Sequence, residues 1–168
     1  MTAFQNKAPN SGIFLGIQFA ISGILNAIFN GVAFWLMNRE AHSVHYPETA
    51  IDAIITCVCV TVLVVFPTAY FTQRAIRSGQ QKPWRSEWSS RLPKKVMSWW
   101  FLCLSLALIA VEVLLAFQFL LFAEWSFGAM LTIRCLGYGV LGGLCGLLTA
   151  WRFLLLLPSE SGSDLLSS

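Results

Sequence analysis

Histidines and carboxylates gather in one short stretch of this sequence. It contains a His-x-x-His pair, His42 and His45, with Glu48 and Asp52 close behind. Imidazole and carboxylate groups are competent ligands for zinc and other divalent metals. These four residues are therefore candidates for a metal site. Their spacing matches no strong metal signature, and a solvated polar loop has the same composition.

A second set of polar residues repeats at every fourth position and consists of Gln18, Ser22, Asn26 and Asn30. On a helix this spacing places them along one side. Such groups avoid lipid, which leaves two interpretations. The stripe either forms hydrogen bonds that hold neighbouring helices together, which is the commoner use, or it lines a hydrated path for a small solute.

Charged residues also lie inside apolar segments, among them Glu112 and Arg134. A buried carboxylate is costly unless it is paired or protonated. Glu112 is thus the best single candidate for a functional group within a membrane. The structural alternative makes it a partner of Arg134 or of the stripe at Asn26 and Asn30, because buried ionisable groups need a partner whatever else they do.

Small residues repeat at four-residue spacing near the end of the sequence, where the set is Gly139, Gly142, Gly143, Gly146 and Ala150. Small residues allow two helix backbones to approach closely and gain van der Waals contact that lipid would not supply. This seam predicts close helix packing. The partner is either another helix of the same chain or a helix of a second copy.

Catalytic signatures are missing from the sequence, which has no Gly-rich phosphate loop, nucleophile elbow or Ser/His/Asp set. We therefore predict no catalytic or cofactor-binding residues and a non-enzymatic protein. Cys57 and Cys59 are not a redox pair, since two positions on a helix are roughly 200° apart. All five cysteines lie in apolar segments, which argues against a disulfide framework.

The elements that carry these residues follow from composition. With 57% hydrophobic and 11% charged residues among 168, the chain departs from soluble domains, where roughly a quarter of residues are charged. Four apolar runs, 12–37, 51–71, 96–122 and 127–157, are near or above the ~20 residues that a helix needs to cross a bilayer. We predict an all-α integral membrane four-helix bundle that forms a single domain over residues 1–168, with a flexible tail at 159–168.

Basic residues predict the orientation of this bundle. Seven of the 11 Lys and Arg residues lie in the connection 72–95, and the two other connections have almost none. The positive-inside rule places this basic loop and both termini in the cytoplasm. Anionic lipid headgroups are the expected counter-charge, and nucleic acid is not an expected partner.

The basic loop itself has a candidate element. Between Pro83 and Pro93, a short helix would place Trp84, Trp88 and Leu92 on one face, which is typical of a segment that lies on a membrane surface. A disordered basic linker is the alternative for so short a run.

The pattern Asn26-x3-Asn30-Gly31-x3-Trp35, followed by Arg74-Ala-Ile-Arg77-Ser-Gly79, resembles small uncharacterised multi-pass proteins of bacterial inner membranes. The resemblance implies that location and attaches no activity to these residues. Our leading hypothesis is a non-enzymatic accessory subunit or small homo-oligomer, with a homodimer or a partner membrane protein. The alternative is a small-solute transporter or channel that uses Asn26, Asn30 and Glu112. The third hypothesis is a metal-dependent enzyme at the outer face.

Overall fold

The chain folds into four long helices. The computed structural model describes residues 11–39, 43–44, 46–84, 92–121 and 125–155. The helices are α1 (Ser11–Asn38), α2 (Tyr46–Arg77), α3 (Val96–Leu121) and α4 (Phe127–Leu155). Each of them is long and apolar enough to cross a membrane. The predicted all-α fold with four membrane-length helices is confirmed.

Helix α2 extends beyond the apolar run 51–71 at both of its ends. Its last turn contains Arg74 and Arg77, whose positive charge is favourable at a helix C-terminus. The helix then stops at a turn in which the Ser78 amide donates to the Arg74 carbonyl at 2.9 Å. Gly79 follows with φ of 73°, a left-handed conformation that glycine adopts without steric cost. The basic loop therefore begins after Arg77 in the structure.

The helices pack in the spatial order α1, α4, α2, α3. The most extensive contact joins α1 to α4, and α2 contacts both α4 and α3, whereas α1 and α2 touch little. Helix α4 is therefore central. It runs antiparallel to α1, since Phe34 stacks on Phe127 at one end and Ser22 faces Gly146 towards the other.

The two ends of the bundle differ. At one end, which we call the ladder end, β1 (Ser43–Val44) pairs antiparallel with β2 (Trp125–Ser126) and joins the α1–α2 connection to the α3–α4 connection. The other is the basic end, where α1 and α3 begin and α2 and α4 end. There the Trp84 indole donates to the Ser11 hydroxyl at 3.3 Å, and the Trp84 amide donates to the Leu154 carbonyl.

Two predicted segments fall mostly outside the described residues. Residues 85–91, the central part of the candidate surface helix, are not described, and Pro83, Trp84 and Leu92–Lys95 on either side are not helical. The tail 159–168 is also outside the described part of the chain. Both predictions therefore stay predictions.

Candidate functional site

The contact between α1 and α4 is built on the glycine seam. A Cβ added at Gly142 would overlap the Asn26 side chain, and one at Gly146 would lie 2.7 Å from the Ser22 Cβ. At Gly143 an added Cβ would lie 3.0 Å from the Phe19 carbonyl oxygen. These distances are shorter than normal carbon contacts, so any larger residue would push the helices apart. The partner of the seam is thus α1 of the same chain.

The polar stripe of α1 faces this seam. Ser22, Asn26 and Asn30 are buried, and Gln18 is half-buried. The hydrogen bonds differ from the expected links between helices, because the Asn26 amide donates to the Ser22 carbonyl at 2.8 Å and the Asn30 amide to the Asn26 carbonyl at 2.9 Å. Both bonds stay within α1. Each of the two amide N–H groups is therefore satisfied within α1, and the Asn26 side chain fills the space beside Gly142.

Helix α1 contributes small residues that the sequence analysis missed. Gly23 lies under the Gly139 carbonyl, with 2.9 Å between that oxygen and an added Cβ, and Ala27 contacts Gly139. Gly31 faces the Cys135 thiol, which lies 2.7 Å from an added Cβ. These three residues repeat at four-residue spacing, the same signal that marked α4.

Near the ladder end, Arg134 of α4 is 4% exposed and pairs with Asp52 of α2. Its guanidinium also lies 4.6 Å from the centre of the Phe34 ring and 5.9 Å from that of Tyr138. One cation thus joins α1, α2 and α4. Sequence reasoning had named Asp52 as a candidate metal ligand and had not paired it with Arg134, because 82 residues separate them.

Glu112 is half-buried on α3. Its carboxylate lies in the neighbourhood of Cys57 and Tyr138, and so does the Arg134 guanidinium. The structure therefore brings Glu112 and Arg134 into one polar cluster between α2, α3 and α4. The sequence analysis named Arg134 or the stripe at Asn26 and Asn30 as structural partners of Glu112, and this stays a prediction. Arg134 forms an ion pair with Asp52.

The candidate metal ligands are only partly described. His42 and His45 lie outside the described residues, as does the side chain of Glu48, and Asp52 pairs with Arg134. Within the part of the chain that the structure describes, no three His, Cys, Asp or Glu residues form a group that could hold a metal ion. The metal site stays a prediction.

The basic end holds a second buried arginine. Arg152 is 0% exposed, and its Nε donates to the Pro93 carbonyl at 2.9 Å while a terminal nitrogen donates to the Lys94 carbonyl. Its guanidinium lies 4.2 Å from the centre of the Phe153 ring. Backbone carbonyls before α3 therefore bind the end of α4. The sequence analysis did not identify Arg152 as a packing residue.

Two tryptophans at the start of α3 donate hydrogen bonds to residues of other helices. The Trp99 indole donates to the Thr149 hydroxyl at 3.0 Å, and the Trp100 indole donates to the Thr61 hydroxyl at 3.1 Å. Trp99 is buried. The two hydrogen bonds link α3 to α4 and to α2, because a buried indole N–H needs an acceptor.

We expect Gly142→Ala to lower the free energy of unfolding by about 1–3 kcal/mol, because the added methyl group overlaps the Asn26 side chain. Thermal unfolding of the purified chain in mild detergent measures the effect. Gly128→Ala is the matched control on the same helix, since a Cβ there meets nothing within 4 Å. Combining Gly142→Ala with Asn26→Ala should recover part of the loss. Equal stability of the Gly142 and Gly128 variants would contradict the close packing.

Removing one partner of the buried ion pair should be costly. We expect Asp52→Asn and Arg134→Gln each to destabilise the bundle by about 3–5 kcal/mol, because each strands a charge in a low-dielectric region. The double variant should recover part of that loss. Arg74→Gln, at an exposed arginine, is the control. If the losses of the two single variants simply add in the double variant, Asp52 and Arg134 do not interact. A second double-mutant cycle, with Glu112→Gln and Arg134→Gln, measures the interaction free energy between Glu112 and Arg134.

The chain was compared with protein families, curated proteins and solved structures. No protein-family model, curated protein or solved structure matches the chain. A functional assignment therefore rests on the residues and contacts described above.

Proposed function

We propose that this chain is a non-enzymatic, multi-pass integral membrane protein of the bacterial inner membrane that serves as an accessory subunit. The observation that carries the proposal is that buried polar groups of α2, α3 and α4 hold these three helices together. Asp52 binds Arg134 across α2 and α4, and Trp99 binds Thr149 across α3 and α4. The asparagines of α1 are bonded to their own backbone. These groups are structural, as packing partners in a membrane commonly are.

The orientation we propose has the basic end in the cytoplasm. Exposed cations surround that end, namely Arg74, Arg77, Lys82, Lys94 and Lys95. Clusters of Lys and Arg next to membrane helices are retained on the cytoplasmic side and attract anionic headgroups. Both termini and the connection between α2 and α3 would then be cytoplasmic, and the β ladder would lie outside.

The choice of a subunit over a homodimer rests on the glycine seam. Its strongest packing residues contact α1 within the chain, so they are not available to a second copy. The side of α1 that faces away from α4 is still available to a partner. On it the side chains of Ile17, Ile21, Ile24 and Ile28 are exposed. Helix α1 packs extensively only on α4. We therefore place the surface for a partner membrane protein on α1.

A small-solute transporter or channel is the second candidate. It is supported by Glu112, which shares a polar cluster with Tyr138 and Arg134 in the middle of the helices. Asn26 adds little to it, because its side chain lies directly against Gly142 of α4. The Asn30 amide donates to the backbone of its own helix. An enzyme at the outer face would depend on His42 and His45, which lie outside the described residues.

Reporter fusions test the orientation. We expect a reporter that is active only outside the cytoplasm to be silent when fused near Gln80 and active when fused near His45, because the positive-inside rule retains the basic connection in the cytoplasm. A fluorescent reporter that matures only in the cytoplasm is the control and should give the opposite pattern. Activity of the first reporter near Gln80 would contradict the orientation.

Site-specific photo-crosslinking tests the subunit proposal. A photoreactive residue at Ile24, which is 61% exposed on α1, should give an adduct with a second membrane protein. The same residue at Val113, which is 64% exposed on α3, is the matched control and should contact lipid only. Mass spectrometry identifies the adducts. An adduct of twice the mass of the chain would favour a homo-oligomer instead, and no adduct at Ile24 would contradict a partner on α1.

A further inference from the structure

Two cysteine thiols meet between α3 and α4 near the basic end. The Cys145 thiol donates a hydrogen bond to the Cys103 sulfur, and both side chains belong to one buried cluster. The register of the two antiparallel helices agrees with this contact, because the Trp99 indole donates to Thr149 closer to that end. Cys103 follows Trp99 by one turn of α3, and Cys145 precedes Thr149 by one turn of α4. The two thiols therefore form the next contact along the same pair of helices.

The surroundings of the two sulfurs differ. The Thr149 hydroxyl, which accepts from the Trp99 indole, donates in turn to the Cys103 sulfur. The guanidinium of Arg152 lies in the neighbourhood of the same sulfur. Hydrogen-bond donors and a nearby arginine stabilise negative charge on sulfur, and they are typical of reactive cysteines. Cys103 is therefore suited to act as the attacking thiol, with Cys145 as the thiol beside it.

The other cysteines are placed differently. Cys59 is exposed on α2, and Cys135 of α4 faces Gly31 of α1. Cys57 of α2 also lies in the neighbourhood of Cys145, but it packs in a different cluster and is 0% exposed. Cys103 and Cys145 are 4% and 6% exposed, so a small part of each side chain stays accessible to a reagent as small as a peroxide.

We propose that Cys103 and Cys145 are a redox-sensitive pair, which hydrogen peroxide closes into a disulfide between α3 and α4. The Cys103 sulfur first attacks one peroxide oxygen. An S–O bond forms, the O–O bond breaks, and the departing oxygen takes the Cys103 proton and leaves as water. The Cys145 sulfur then attacks the sulfur of the resulting sulfenic acid. The S–S bond forms, the S–O bond breaks, and the hydroxyl leaves with the Cys145 proton as a second water. The two thiols lose two electrons in total, and the peroxide gains them.

The packing of α3 allows this bond to close. Among the described residues, α3 packs mainly on α2 and has little backbone contact with α4. The two helices can therefore draw together to the roughly 4.4–6.8 Å between Cα atoms that a disulfide requires. With the basic end in the cytoplasm, as proposed above, the pair lies where thiols are kept reduced, and a disulfide there is transient and reports oxidation. Formation of the bond depends neither on that orientation nor on a partner at α1.

Oxidation of the purified chain tests the pair. Hydrogen peroxide in mild detergent, followed by unfolding and alkylation, should protect two of the five cysteines from the alkylating reagent, and dithiothreitol should restore them. Peptide mapping by mass spectrometry should join the peptide with Cys103 to the peptide with Cys145. Cys103→Ala and Cys145→Ala should each abolish this bridge. Cys59→Ala and Cys135→Ala are the matched controls on α2 and α4 and should leave it unchanged.

The rate of bridge formation tests the role of Cys103. Thr149→Val removes the hydroxyl that donates to the Cys103 sulfur and should slow the reaction by about fivefold, the effect of one hydrogen bond. Thr149→Ser keeps the hydroxyl and should react at the rate of the unsubstituted chain. Equal rates for these two variants would overturn the assignment of Cys103 as the attacking thiol.

Three further results would overturn the pair itself. They are no bridge in the folded chain at a peroxide concentration that oxidises the same chain unfolded, a bridge that joins Cys57 to Cys145, and equal bridging in Cys103→Ala. Circular dichroism checks that each variant folds, and the peptide map of the unsubstituted chain decides if Cys103→Ala does not. Failure here leaves the partner surface untouched, because photo-crosslinking at Ile24 reports on α1 alone.

Discussion

The close approach of α1 and α4 is the contact on which the other helix positions depend. Lipid chains are as apolar as leucine, so helices in a membrane gain little by hiding apolar side chains and much from tight van der Waals packing. Glycines on both helices supply that packing, with Gly23 and Gly139 meeting backbone to backbone. Because α1 is held this near, Phe34 reaches the guanidinium of Arg134. Helix α4 thereby becomes the inner helix that joins α1 to α2.

Two buried arginines hold opposite ends of α4 by different means. Near the ladder end, Arg134 binds the Asp52 carboxylate, which ties α4 to α2. At the basic end, Arg152 binds the carbonyls of Pro93 and Lys94, which ties α4 to the segment before α3. The planar guanidinium suits both uses, since it presents several donors in fixed directions and lies flat on aromatic rings. The helix is therefore fixed at both ends as well as along its seam.

Helix α3 is held differently from the other helices, and this gives the molecule its asymmetry. It packs on α2, and the Trp99 and Trp100 indoles fix its first turns to Thr149 and Thr61. Further along, α3 and α4 separate, and an apolar groove opens between them. The side of the bundle closed by α1 is thus a packing surface, whereas the side between α3 and α4 is left open.

The sequence by itself determined the number, length and helical nature of the membrane elements, because a run of some 20 apolar residues has few other ways to satisfy its backbone in lipid. It also marked the small residues of α4 as packing residues, since their spacing is local information. What it did not determine was which groups meet. The pairing of Asp52 with Arg134 joins residues far apart in the chain, and the groove beside Tyr138 arises only because α3 packs on α2. Pairing and empty space are properties of helix arrangement, which the tertiary structure alone decided.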